Sequence, residues 1–234
     1  MMTDENLLPD VAIFHGTALE RGGGVAVVET MAEELDADLY YGVCAPGVIE
    51  NSPVKDHADI LVESKSAKIS QYSSFFRNLY TMSSFQHIPE LGKYDVIIES
   101  DDTASWYVPQ EHQEIIRYVH SPPASSYHRF HESGSNPVSK WKAFVSRMLR
   151  APFDKFPTRF LSNSETTANR LRTYLDIESE ILYPPVKIEG LHTSDAKGEY
   201  YLSLSRLTPG KSVPELVTEF QEAHPGADRL LQRE

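Results

Sequence analysis

Two cations near the end of the chain have the types and spacing of a phosphate-binding pair. Arg206 and Lys211 lie on either side of a turn, between an apolar run and an amphipathic run that begins at Val213. A helix N-terminus attracts anions through its macrodipole, and two cations beside it act in the same direction. The spacing predicts a site for a diphosphate, but two solvated surface cations on a loop would show the same pattern.

His120 ends a second chemically interesting stretch, an apolar run over 114–120 that is stopped by a serine and two prolines. Ligands gather at the carboxyl ends of strands in open α/β sheets, so this position predicts a place in a cleft. An imidazole there can donate a hydrogen bond to an anionic or hydroxyl group, or take a proton. The alternative is a histidine that satisfies only carbonyl groups of its loop.

The segment ERGGG contributes Gly22, Gly23 and Gly24 between the first predicted strand and the first predicted helix. Glycine permits positive φ and close approach of a ligand, and the helix N-terminus favours anions. The segment matches neither the dinucleotide-binding fingerprint nor the P-loop. Two interpretations therefore stay open, an anion-binding loop and a loop without a ligand.

No metal site or cofactor is predicted. Cys44 is the only cysteine, which excludes a multi-cysteine zinc site. Asp101 and Asp102 follow a buried run and could hold sugar hydroxyls or a metal, but the pattern favours a solvated turn.

Residues 140–159 form a basic stretch within an acidic chain. Trp141, Phe144 and Met148 fall on one helical face, together with Val145 and Leu149. The residues predicted to form a membrane-surface helix are Lys140, Trp141, Lys142, Phe144, Arg147, Met148 and Arg150. Such a helix can lie in an anionic membrane interface, whereas the commoner alternative is a helix whose apolar face packs on the core.

Composition narrows the class of protein further. The 234 residues carry a net charge of −12, which argues against nucleic-acid binding, since that requires clustered cations. The first residues are polar and acidic, unlike a signal peptide, and no apolar run is long enough to span a membrane. These features predict a cytoplasmic protein, with peripheral binding at the inner face of the membrane as an added expectation.

Short apolar runs alternate with helical stretches, which is typical of βαβ units. Strands are predicted near 11–14, 39–43, 60–62, 94–100, 114–120 and 158–164, and Ser164 is predicted to cap a following helix. The expected fold class is α/β, a Rossmann-like, mostly parallel sheet with helices on both faces. The first strand and helix of a second unit are expected to follow it.

A polar connector divides the chain into an N-terminal domain at 1–188, a linker at 189–198 and the start of a second domain at 199–234. The last segment holds one predicted strand, 200–205, and one predicted helix, Val213–Ala223. One strand and one helix cannot bury each other's apolar side chains well. We therefore expect exposed apolar residues here unless they pack on the first domain.

Five stretches, in order, resemble the family-4 glycosyltransferases of the GT-B fold. They are GGGVAVVETMAEEL, YDVIIES, YVHSPP, LSNSETTANRLRTYL with ILYPPV, and YYLSLSRLTPGKSVPELVTEF. The resemblance implies two facing Rossmann-like domains with the active site between them. The residues it assigns to the cleft are Gly22, Gly23, Gly24 and His120, and those it assigns to the donor's diphosphate are Arg206 and Lys211.

The resemblance implies transfer of a sugar from a nucleoside-diphosphate sugar, the co-substrate, to a glycan or lipid-linked acceptor. The family's second domain carries two glutamates that hold the donor sugar and ribose, and the sequence ends before they could occur. We therefore expect a truncated enzyme that is weak or inactive alone and depends on a separate donor-domain chain. The alternative is a non-catalytic module that binds an acceptor or a membrane and recruits a catalytic partner.

Overall fold

The computed structural model describes residues 9–50, 52, 54, 58–63, 80–88, 90–122, 137, 141, 144–145, 148–149, 151–186, 188, 190, 192, 202–203, 205 and 211–224. The chain divides into two compact units, Met1–Lys187 and Ile188–Glu234. The sheet and both of its apolar clusters belong to the first unit, and the second contains one described helix.

The first unit is built on a seven-stranded, fully parallel sheet in the order β3-β2-β1-β4-β5-β6-β7. The strands are β1 (Val11–Ala18), β2 (Asp38–Cys44), β3 (Ala58–Glu63), β4 (Val96–Glu99), β5 (Glu114–Val119), β6 (Arg159–Ser162) and β7 (Glu180–Ile181). The strand order reverses between β1 and β4, as in a Rossmann-like fold. The predicted α/β class and parallel sheet are confirmed.

The helices whose bounds lie within the described residues are α1 (Gly23–Leu35), α2 (Pro46–Glu50), α3 (Glu165–Leu175) and α4 (Val213–Ala223), with 3-10 turns at Phe85–His87, Leu91–Lys93 and Asp102–Ala104. On one face of the sheet, Val28 of α1 packs in a cluster with Ile13 and Tyr41. On the other face, Phe14 stacks on Phe85 at 4.9 Å. Both faces are therefore covered, which is why the strands are apolar runs without strict alternation.

The N-terminus of α3 has the features predicted from the sequence. Ser164 has extended backbone angles, and its hydroxyl accepts a hydrogen bond from Thr167 N at 3.3 Å. Glu165 occupies the first turn, where the macrodipole favours a carboxylate. The predicted N-cap is confirmed.

The second unit differs from the prediction in one element. Helix α4 has the predicted bounds, but Leu202, Ser203 and Ser205, the described residues of the predicted strand, have no regular secondary structure. An extended segment becomes a strand only when a neighbour accepts its ladder of hydrogen bonds. As expected, Leu202 and Leu216 are exposed, and no residue of α4 is buried.

No helix in the described part of the chain is long and apolar enough to cross a membrane.

Candidate functional site

Two histidines meet at the carboxyl edge of the sheet, beside the point where the strand order reverses. His15 lies in β1, Ser100 directly follows β4 and His120 directly follows β5. Each comes two residues after a side chain that packs beneath α1, namely Ile13, Ile98 or Tyr118, and side chains two apart share a face of a sheet. Three neighbouring strands therefore bring these polar groups together beneath α1.

Ser100 joins the two imidazole rings. Its hydroxyl lies 3.2 Å from Nδ1 of His15 and 3.0 Å from Nε2 of His120. Within the described residues, the other ring nitrogen of His120, Nδ1, makes no hydrogen bond. The predicted alternative of a ring that satisfies loop carbonyls is therefore wrong, since the ring contacts a side chain of another strand.

The side chain of Asp101 links the loop after β4 to β1 through hydrogen bonds. One of its carboxylate oxygens accepts hydrogen bonds from the backbone of Gly16 and Thr17 at 3.1 and 3.3 Å. The other accepts from Thr103 N, Thr103 Oγ1 and Ala104 N, at 2.8, 2.7 and 3.0 Å. The interpretation of this residue as a solvated turn is wrong, because its carboxylate closes the 3-10 turn and holds two strands together.

The electrostatic setting keeps both histidines neutral at physiological pH. Burial lowers the pKa of His120 to about 4, the neighbouring His15 lowers it further, and Asp101 opposes both effects. Burial also lowers the pKa of His15, again against the charge of Asp101. In a neutral imidazole one ring nitrogen carries the hydrogen and donates, and the other accepts. The tautomer decides which nitrogen does which.

The glycine segment lies next to this cluster, but its backbone is ordinary. Gly22 caps α1 with φ −112° and ψ −176°, and neither Gly23 nor Gly24 has a positive φ, so these glycines do not use their freedom to adopt left-handed backbone. Gly24 is the member that faces the histidines. A Cβ there would lie 3.5 Å from Cε1 of His15 and 3.8 Å from Nε2 of His120, while Gly22 and Gly23 face open space.

An ion pair with one buried partner extends the polar region along the underside of α1. Arg21 donates to Glu29 at 2.8 Å, and Glu29 is almost fully buried. Tyr41 packs edge-on to His15 at 5.9 Å, and burial, with Glu29 nearby, raises its pKa. Glu29 therefore anchors a guanidinium immediately before the glycine segment.

The other predicted site residues are only partly described. Lys211 is exposed and lies two residues before α4, whereas its predicted partner Arg206 lies outside the described residues. Of the basic stretch, Lys140, Lys142, Arg147 and Arg150 also lie outside them.

Within the basic stretch, residues 141, 144–145 and 148–149 are helical. Trp141, Phe144 and Met148 are 62%, 55% and 61% exposed. The alternative of a core-facing helix is wrong for these side chains. We call Trp141, Phe144, Met148 and Leu149 the apolar face.

His15 and Ser100 were not predicted from the sequence. A usable signal existed for His15, because it is a polar residue inside an apolar run and shares the core-facing parity of Ile13. Ser100 carried no signal beyond its place after a strand. A shallow pocket of about 330 Å³ lies elsewhere, between α3 and β7, and its polar lining includes Arg172 and Glu178 but neither histidine.

No protein-family model matches the chain, and no curated protein matches its sequence. Solved structures that align with this chain include the following two. The structure of Anabaena Alr3699/HepE in complex with UDP and glucose aligns with a TM-score of 0.47 and 11% identity, over 92% of this chain and 50% of that one. The calicheamicin glycosyltransferase CalG4 aligns with a TM-score of 0.45 and 11% identity, over 80% and 54%. This chain thus spans about half the length of each, and likeness at this level assigns no function.

Proposed function

We propose that this chain provides the acceptor side of a glycosyltransferase that moves a sugar from a nucleoside-diphosphate sugar to a glycan or lipid-linked acceptor. The observation that carries the proposal is the Ser100-bridged pair of histidines at the carboxyl edge of a parallel sheet. Ligands of open α/β sheets bind at this edge, where strand order reverses. Groups with strongly shifted pKa values cluster at functional sites, as His120 does here.

The chemistry that these groups would serve is a substitution at the anomeric carbon. The acceptor hydroxyl forms the new bond while the bond to the diphosphate breaks, and negative charge collects on the leaving diphosphate. Donors that are already fixed in place stabilise such charge without reorganisation. In this proposal His120 contacts the reacting sugars, and Arg206 with Lys211 contacts the diphosphate, with no metal required.

The test is nucleoside-diphosphate release from a panel of nucleoside-diphosphate sugars, with oligosaccharide and lipid-linked acceptors. A separate donor-domain chain is added, because this chain is expected to be weak or inactive alone. We expect His120→Ala to lower acceptor-dependent release by about 100-fold or more, the scale of a lost acid–base or hydrogen-bonding group. His112→Ala is the matched control, because His112 is exposed in a turn before β5. Equal release by the H120A variant and the wild-type chain would remove the histidine pair from the proposal.

The apolar face supports a second function, docking on an anionic membrane. Three of its side chains are more than half exposed, and the sequence around them is basic although the whole chain is acidic. An interfacial helix combines such a face with cations that attract anionic lipid. Docking would bring the acceptor site close to lipid-linked substrates.

Vesicle sedimentation at low salt tests this docking. We expect binding to vesicles that contain phosphatidylglycerol, little binding to pure phosphatidylcholine, and loss of binding in the Trp141→Ala/Phe144→Ala double variant. Val108→Ala is the control, since Val108 is an exposed apolar residue in another part of the first unit. Self-association through the face would instead appear as a dimer in sedimentation velocity, and vesicle binding unaffected by the double variant would contradict docking through this face.

A further inference from the structure

The proton positions of His15, Ser100 and His120 are coupled, because Ser100 has a single hydroxyl hydrogen. Its oxygen can accept from a ring and donate to a ring. Ser100 is fully buried, and its side chain has no hydrogen-bond partner among the described residues other than the two imidazoles. If both rings donated to it, the hydroxyl hydrogen would be buried and unsatisfied, which is costly. Ser100 therefore accepts from one ring and donates to the other.

Asp101 determines which groups donate and which accept in this series of hydrogen bonds. Its Oδ2 lies 3.9 Å from Nδ1 of His15. The five hydrogen bonds that the carboxylate makes to described residues are all accepted ones, as an ionised carboxylate requires. A negative charge at that distance favours an N–H at Nδ1 of His15 over a lone pair. His15 then donates to Ser100, and Ser100 donates to Nε2 of His120.

We propose that Asp101, His15 and Ser100 hold His120 in the tautomer with its hydrogen on Nδ1, so that this histidine offers a ligand a hydrogen-bond donor and not a proton acceptor. Nδ1 is the ring nitrogen that makes no hydrogen bond within the described residues. The ligand atom it suits is an oxygen, either hydroxyl or phosphate. The identification of that oxygen with a sugar substrate rests on the proposed glycosyltransferase function, whereas the tautomer does not. His15 and Ser100 act as positioning residues.

The experiment is long-range ¹H–¹⁵N correlation NMR of the ligand-free chain with labelled histidine. A pH of about 8 keeps ordinary imidazoles neutral. His87 supplies an internal reference, because its Nδ1 lies 2.9 Å from the carbonyl oxygen of Ser83, which can only accept. His120→Gln and His87→Gln variants assign the two signals. We expect His120 to show the His87 pattern, with a protonated Nδ1, and a protonated Nε2 would overturn the proposal.

Two variants test the positioning roles. Ser100→Ala and His15→Phe each remove one link, and we expect His120 to become a mixture of both tautomers in either variant. Ser162→Ala is the matched control, since Ser162 is another fully buried serine at the end of a neighbouring strand. An unchanged His120 pattern in the S100A variant would overturn the coupling. No substrate is present, so a failed transfer assay would refute the proposed function and leave the tautomer result standing.

Discussion

At the residue scale, Gly16 has no room for a side chain next to the Asp101 turn. A Cβ there would lie 1.7 Å from Thr103 Oγ1 and 2.7 Å from Asp101 Oδ1. We expect Gly16→Ala to lower the free energy of unfolding by about 1–3 kcal/mol, the usual cost of overpacking. Urea denaturation measures this loss. Gly47→Ala in α2, where a Cβ meets nothing within 4 Å, is the control and should be neutral or slightly stabilising.

A second prediction at the residue scale is that the stability depends on pH through His120. Its pKa is about 4 in the folded chain against an ordinary 6.5, so the unfolded chain binds the proton first as the pH falls. The contribution of neutral His120 to the free energy of unfolding is therefore present above pH 6.5. It is lost as the pH falls towards 4, by up to about 3 kcal/mol. Urea denaturation of wild type and His120→Gln across this range measures it. The stability difference between the two should shift with pH, and a constant difference would contradict the lowered pKa.

At the scale of elements, a buried ion network joins β4, β5 and the loop before β6. Arg117 donates to Glu99 of β4 at 2.8 Å and to Asp154 of the loop at 2.6 Å. Burial raises the pKa of Glu99 to about 6, against the opposing charge of Arg117. Paired buried charges tolerate joint replacement better than the loss of one partner.

We therefore expect Arg117→Met to cost about 3–5 kcal/mol of unfolding free energy, because it leaves the buried Glu99 carboxyl without its charged partner. The Glu99→Met/Arg117→Met double variant should regain most of that loss, since Asp154 is exposed enough to be solvated. A double-mutant cycle by urea denaturation measures the coupling. If the two single losses simply add, the network is not a coupled unit.

At the scale of the whole molecule, all seven strands and both apolar clusters lie within Met1–Lys187. We expect a fragment of residues 1–187 to unfold cooperatively with the circular dichroism of an α/β protein. Residues 188–234 alone should show little helix, because α4 has 11 residues and buries none of them, and isolated helices that short are marginal in water. A non-cooperative transition of the larger fragment would show that its core is incomplete.

Some of this organisation was readable from the sequence by itself. Apolar runs with stop signals, the serine cap of α3 and the alternation of strand and helix determine the α/β class and the place of His120 after a strand, because those signals act over a few residues. The second unit shows the limit of such signals: the pattern at 200–205 is strand-like, but its described residues find no ladder to join.

Only the tertiary structure decided which groups meet. Ser100 bonds to His15 across 85 positions of sequence and to His120 across 20. Local pattern does not specify which strands are neighbours, since the crossovers and the packing of α1 set the strand order. The sequence therefore determined one histidine at a strand end, and the fold decided that a second histidine and a serine would control its proton.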